Sequence, residues 1–413
     1  MNSTHTIAKF WMVLLLSTVS LLMGWLHSMI MQTGSSFHTY IEKHLRESKR
    51  LDLVWDSYIP DSLKESTREK RGKGLRRKVS GQAKLPGNWK DFLRDNDNKK
   101  ELFQYLTSKV SNMVCPAEKV VFVTNGSSVI HVSADLYQPM PDCNHEEADT
   151  RIAVHVLHAI NHGCVSVSVR TVDTDVIVIL LGAFYHFIEA QPSAKVFVEF
   201  GMGKNFRMYD INSISVILGS AKSRALPVFH ALSGSDTTSA FKGKGKKSAW
   251  QAWQAYDEVT NIFTHLADHP FLNIEEDSDI FAHIERLIVL LYDKSSLSSN
   301  VNSTRKELFC QKKVSMERLP PTKNALLNHV KRAIYQAGIW TTSTIAQQSL
   351  PSPEDFGWTK VSQAWIPQWI TVPEVSVSCR ELIRCSCKGD CSKCKCGKAN
   401  LNCSPLCKCN CEK

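Results

Sequence analysis

The sequence predicts an α/β fold: a mainly parallel sheet flanked by helices, then a helical lobe and a small metal-cluster tail. Three observations carry this expectation. Between residues 37 and 209, short β-branched runs alternate with amphipathic segments, the pattern of βα units on a parallel sheet. From 254 to 345 the apolar residues recur at helical spacing. Beyond residue 384 the chain has no apolar core, yet it carries nine of the 14 cysteines.

The length of 413 residues exceeds one typical domain, and 43% hydrophobic content supplies a sizeable core. A net charge of +10 and a pI near 8.9 suit a polyanionic partner and say nothing about fold.

Residues 10–31 form an apolar run without Lys, Arg, Asp or Glu, long enough to span a bilayer. Lys9 precedes it, and Lys43, Arg46, Lys49 and Arg50 follow. The positive-inside tendency puts the bulk of such a protein on the cytoplasmic side of a signal anchor. The other reading of residues 1–32 is a gene-model artefact, and both stay open here. A cleaved signal peptide fits less well, because the run is long and its basic end weak.

Phe37 to Lys49 reads as a helix with Phe37, Tyr40, Ile41 and Leu45 on one face, and Leu51–Asp56 as a strand ending in an aspartate. Lys64, Arg68 and Arg71 then recur at helical spacing, a basic face directly after Asp56. An amphipathic helix near Lys99–Val110, a buried strand over Val120–Thr124 and a short strand over Val129–Leu136 follow. His145-Glu146-Glu147-Ala148-Asp149 opens a helix, Val165–Val169 is a strand, and Asp173-Thr174-Asp175 stands just past its end. Ligands of open α/β sheets bind at the carboxyl ends of the strands, and several carboxylates gathered there call for a hard divalent cation such as Mg²⁺ or Mn²⁺. The structural reading of the same residues is a Glu147–Arg151 pair one helical turn apart and a cap from Asp173.

An apolar helix over Val176–Ile188 and a hairpin of Lys195–Phe200 with Phe206–Tyr209 complete the alternation. Gly201-Met202-Gly203-Lys204 has no phosphate-loop spacing around it. Gly234-Ser235-Asp236 presents a further aspartate on a turn. Lys242-Gly243-Lys244-Gly245-Lys246-Lys247 is a basic turn opening into a helix, suited to phosphate. Val259–Ala267, Ile280–Tyr292 and Lys323–Gln336 are amphipathic helices, Ser295–Thr304 a loop, and 346–378 a linker.

In this order, Asp56 with its basic helix, Glu147-Ala148-Asp149, Asp173-Thr174-Asp175, and Gly234-Ser235-Asp236 before Gly243-Lys244-Gly245-Lys246-Lys247 resemble the PIN-like nuclease superfamily of flap endonucleases and 5′–3′ exoribonucleases. Asn144 to Ile152, Asp173 to Val176 and Gly243 to Trp250 also resemble a group of mobile-element-derived animal proteins. The resemblance covers about Thr33 to Trp253. It implies that Asp56, Glu147, Asp149, Asp173, Asp175 and Asp236 hold Mg²⁺ or Mn²⁺ for phosphodiester hydrolysis, and that Lys64, Arg68, Arg71, Lys244, Lys246 and Lys247 hold the nucleic-acid backbone. Two departures stand out. Asp149 replaces a glutamate. The superfamily's first aspartate should end a strand upstream of Phe37, where this chain is apolar and has no Asp, so the sheet is expected to lack a strand and the site a ligand.

In the tail, Cys385, Cys387, Cys391, Cys394, Cys396, Cys403, Cys407, Cys409 and Cys411 are too closely spaced to pair well as disulfides and suit Zn²⁺. Nine thiolates satisfy about three tetrahedral zinc ions if three of them bridge. The spacing resembles the DNA-binding tesmin-type CXC domain, with Lys393 where that family has tyrosine. Cys379 is left as a spare thiol.

The expected division is therefore 1–32 apolar segment, 33–253 nuclease domain, 254–345 helical region, 346–378 linker and 379–413 zinc tail. The expected function is a divalent-metal-dependent nuclease. Its alternative is a catalytically inactive protein that keeps the fold and binds nucleic acid. DNA is preferred over RNA as partner, and no small-molecule cofactor is expected. A membrane enters only if residues 10–31 are a true anchor; otherwise the protein is expected in the nucleus or cytoplasm.

Overall fold

The computed structural model describes residues 10–13, 36–69, 74–80, 86–134, 137–310, 315–371, 379–380, 382–387, 394–401, 403, 407 and 409. Two compact units divide the chain: Met1–Pro227 with Gly338–Leu350, and Val228–Ala337 with Pro351–Lys413.

The first unit is built on a seven-stranded sheet of order β4-β3-β2-β1-β5-β6-β7. Its strands are β1 Phe10–Val13, β2 Arg50–Leu53, β3 Val120–Asn125, β4 Ser128–Ser133, β5 Ser166–Thr171, β6 Lys195–Phe200 and β7 Arg207–Asp210. β3, β2, β1, β5 and β6 run parallel, and β4 and β7 close the two edges antiparallel. The α/β class expected from the alternating pattern is therefore the one found.

The N-terminal expectation needs correcting. Phe10–Val13 is the central strand, with Trp11 in register with Leu51 on one side and Ser168 on the other. The sheet does not lack a strand. Apolar residues without charge suit a strand buried between two parallel neighbours as well as they suit a bilayer. No described helix is long and apolar enough to cross a membrane. Residues 14–31 of the apolar run lie outside the described residues.

The described helices of this unit include α1 Ser36–Glu47, α2 Leu63–Glu69, α3 Asn96–Ser111, α4 Ala148–Asn161, α5 Thr174–Ala190, α6 Ile211–Leu218 and most of α7 Ser220–Ser233. Period-two alternation sorts β3 between the two faces of the sheet. Val121 and Val123, with Leu51 and Leu53 of β2, pack with Phe37, Ile41 and Leu45 of α1 and Leu102, Phe103 and Leu106 of α3. Val120 and Phe122 point to the other face, where Val154 of α4 packs. α5 is buried along Val176, Ile179, Leu180 and Phe187, and a Cβ on Gly182 would meet the Pro227 ring of α7 at 2.5 Å.

The α4 face of β2 is charged. Arg50 donates from Nε to Asp52 Oδ1 at 2.7 Å and from Nη2 to Oδ2 at 2.7 Å, with both residues almost fully buried. His155 of α4, wholly buried, completes Asp52 through Nδ1 at 2.8 Å. Burial alone would raise Asp52, but Arg50 and His155 outweigh it and hold the carboxyl at about 2. Burial pushes the His155 imidazole down, so a neutral ring donates Nδ1–H. Arg50 also donates to His158 Nδ1 at 2.9 Å and lies 4.1 Å from the Phe122 ring centroid.

The second unit holds α8 Lys246–Ala255, α9 Val259–Asp268, α10 Asp279–Tyr292, α11 Val301–Cys310 and most of α12 Lys323–Thr341. Trp253 is the largest fully buried side chain among its described residues, packed at tilted and edge-on angles against Phe229, Trp250 and Phe263, with Nε1 donating to Thr260 Oγ1 at 2.9 Å. Two loop expectations change. Val301 already starts α11, because Glu285 caps it by accepting from the Val301 N–H at 2.9 Å. The stretch read as a linker contains the hairpin β8 Trp358–Val361 with β9 Ala364–Pro367, pinned by Arg332 donating to Gly357 O.

Asp52→Asn should destabilise the protein by about 3–5 kcal/mol in urea unfolding, because it leaves Arg50 charged and uncompensated in the core. Since the Asp52 carboxyl falls from 3.8 when unfolded to about 2 when folded, its contribution is complete above pH 3.8 and is lost as pH falls through about 2.

Candidate functional site

The loop after β2 and the start of α4 are tied together. Trp55 N–H donates to Thr124 Oγ1, Ser57 N–H to Glu146 O at 2.7 Å, and Ala148 N–H to Asp56 Oδ1 at 2.9 Å. Asp56 thus caps α4 from another element, while the residue at the N-cap position, Glu147, makes no side-chain cap of its own. The expected Glu147–Arg151 pair does not form. Arg151 is fully buried and donates to the carbonyls of Gly126, Ser127 and Ser128 in the β3–β4 turn. Glu147 instead meets Lys64 Nζ at 2.5 Å.

The basic face of α2 is therefore not simply solvated. Arg68 reaches Glu146 Oε1 at 2.6 Å, and Ser62 donates to the same oxygen at 2.8 Å. Glu146 is a charged neighbour of the candidate acids that the motif comparison does not include. Its signal was its place beside Glu147, opposite a basic helix. Arg71 lies outside the described residues.

Asp173 sits past β5 and caps α5, accepting from Asp175 N–H at 2.9 Å. The structural reading of Asp173 as a cap is correct, and it leaves the residue at the same sheet edge. The least exposed of the predicted site acids is Asp149, at 7%, whose Oδ1 has no hydrogen-bond partner among the described residues. Burial, then Asp173, Glu147, Asp56 and Asp175 raise its carboxyl well above the usual range. Burial also raises Glu147 and Glu146, against the pull of Lys64 and Arg68. Four of the predicted acids in the first unit thus act electrostatically on a fifth, Asp149, while the groups of three or more ligand atoms within 4.8 Å among the described residues are all cysteines.

Asp236 belongs to the second unit, on the exposed turn after α7. Thr238 Oγ1 donates to Ala231 O, Thr237 Oγ1 to Gln336 Oε1, and Ser239 Oγ meets His329 Nδ1 at 2.9 Å, so the turn is fixed to α7 and α12. Lys246 donates to His230 O, Ser233 Oγ and Gly234 O, closing the carbonyl end of α7. Lys244 reaches Tyr292 O at 3.5 Å, and Lys247 is exposed.

In the tail, two sets of four sulfurs each lie within 4.8 Å of one another: Cys385, Cys387, Cys394 and Cys403, and Cys385, Cys403, Cys407 and Cys409. Cys385 and Cys403, 3.5 Å apart, are common to both. Cys396 lies 3.5 Å from Cys407. Such spacing places the thiolates to hold a metal ion, with two of them in bridging positions. Cys391 and Cys411 lie outside the described residues, and Cys379 is exposed and in neither set.

No protein-family model matches this chain, and no curated protein matches it in sequence. Two solved structures of the catalytic core of Rad2 in complex with DNA substrate align with it at 16% identity. Complex IV covers 78% of this chain and 93% of its own with a TM-score of 0.32; complex III covers 76% and 84% with a TM-score of 0.33. The fold class stands on the strand order and register described above.

Asp149→Asn replaces a buried carboxyl, which at neutral pH must hold a proton at a cost in stability, with a neutral amide of the same size. In metal-free protein it should raise the melting temperature by about 2–4 °C for each kcal/mol relieved, measured by calorimetry. In the tail, Cys385→Ser or Cys403→Ser should cost more bound zinc than Cys387→Ser or Cys409→Ser, measured by elemental analysis of purified protein.

Proposed function

We propose that this protein is a divalent-metal-dependent nuclease of the PIN-like type, with DNA preferred over RNA and a zinc-thiolate tail. The observation that supports it best is the orphaned, buried Asp149 carboxylate ringed by Asp56, Glu147, Asp173 and Asp175. A carboxylate in that position is stable in its charged form only with a cation beside it, so the donor set fits a hard, oxygen-liganded ion. These five residues are assigned to Mg²⁺ or Mn²⁺; the sixth candidate, Asp236, rests on the motif order alone. When bound, such ions polarise a phosphodiester and lower the pKa of water.

The chain's own residues supply the rest. Asp56 and Asp173 each cap a helix, which fixes their carboxylates before any ligand arrives. Lys64 and Arg68 neutralise Glu147 and Glu146 and stand where a phosphate can take them over once a metal replaces their charge. Lys247 and Lys244 add sequence-independent attraction for a polyanion. About three zinc ions are assigned to the nine tail cysteines, a cluster that stays reduced in the nucleus or cytoplasm. The mobile-element origin remains part of this reading through the resemblance of the three motif phrases.

One observation supports the second reading, binding without cleavage. β1 reads Phe-Trp-Met-Val, and no Asp or Glu precedes Glu42, so the superfamily's first aspartate has no counterpart.

The test is cleavage of a labelled single strand and a flapped duplex by the full chain in Mn²⁺. Asp173→Ala should abolish cleavage while leaving strand binding nearly unchanged. Lys247→Ala should leave cleavage chemistry intact and reduce the slope of log affinity against log salt by about 0.7–0.9. Binding of both substrates with cleavage of neither supports the second reading and rejects the first.

A further inference from the structure

Beside the acid cluster, the first unit contains a pocket of about 380 Å³. Asp56 belongs to both. The floor is the Trp55–Phe103 pair, whose rings lie 5.0 Å apart and within 5° of parallel. Its polar groups are spent on one another: Trp55 Nε1 donates to Thr107 Oγ1 at 3.0 Å, Thr107 to Thr124 O at 3.2 Å, and Trp55 N–H to Thr124 Oγ1 at 2.8 Å. The rim is different. Gln104 on α3 and Asn125 and Ser127 on the β3–β4 turn are exposed neutral groups that can both donate and accept. At the mouth, the Tyr58 ring is surrounded by cations, with Arg68 at 4.8 Å, Lys99 at 4.9 Å and Lys100 at 5.8 Å from its centroid.

We propose that this pocket holds one unstacked nucleobase of a single strand whose phosphates lie along the cations at its mouth. The inference deepens the nucleic-acid reading above and rests on it. A flat apolar ligand with a neutral hydrogen-bonding edge matches the floor and rim together. A phosphate inside would face the Asp56 carboxylate and an apolar floor, and an acyl chain would leave the amide and hydroxyl rim without partners. The mouth is basic, and apart from the Asp56 carboxylate the interior presents aromatic rings and neutral polar groups, which follows the charge order of a nucleotide, with phosphate outside and base inside. Single strands are held in this way by aromatic floors next to basic tracks.

The probes are dT₁₂ and a twelve-residue abasic strand of the same charge. Binding to the full chain is measured by fluorescence anisotropy without added Mg²⁺ or Mn²⁺. Wild-type protein should prefer dT₁₂ by about five- to a hundredfold, the range expected for one stacked base. Ser127→Trp should fill the pocket from the hairpin side and bring dT₁₂ down to the abasic level, leaving abasic binding unchanged. Gln104→Trp, from an exposed position on α3, should do the same from the opposite rim; circular dichroism checks that both variants are folded. Equal wild-type binding of the two strands overturns the pocket assignment alone, as does undiminished dT₁₂ binding by both folded variants. Failure to bind either strand overturns the nucleic-acid reading and the pocket with it.

Discussion

The start of α4 is the constrained point of the first unit. Its residues are buried almost all round, so its polar groups must be satisfied by other elements. Asp52, with Arg50, holds His155 from β2. Arg151 grips three carbonyls of the β3–β4 turn. Asp56 caps the helix from the end of the β2 loop. A helix held at three depths cannot slide along the sheet. Its first turn, with Glu147 and Asp149, is therefore fixed at the strand edge where Asp173 and Asp175 also stand.

That fixed position gathers like charge. Asp56, Glu147, Asp173 and Asp175 all act on Asp149; Lys64 offsets Glu147, and Arg68 offsets Glu146, which stands beside the set. Asp149 has no such partner in the first unit's hydrogen bonding, and burial and its neighbours hold its proton. The arrangement costs stability in the protein alone, which is the usual relation between an ion site and the fold that carries it.

The tail obeys another rule. Its buried residues are mostly cysteines, and the close approach of sulfurs replaces the apolar packing seen elsewhere. With Cys385 and Cys403 shared between two sets of four, the arrangement suits a cluster better than separate single-ion sites.

The sequence by itself determined the parallel α/β class, most helices, and the acids and cysteines of the two candidate sites. Period-two and period-3.6 patterns are set by local geometry, and the chemistry of carboxylates and thiolates is carried by residue type. Tertiary structure alone decided the rest. Phe10–Val13 has the same apolar composition whether it enters a bilayer or a sheet, and only its pairing with β2 and β5 separates the two. Arg151 is one turn from Glu147 on the helix, yet burial sends it to a hairpin whose carbonyls need a donor. The charged Arg50 and Asp52 sit in a buried strand because His155, a hundred residues away in sequence, faces them. Pattern fixes what a segment can form; which partner lies opposite is settled only when distant segments meet and every buried charge must find its counterpart.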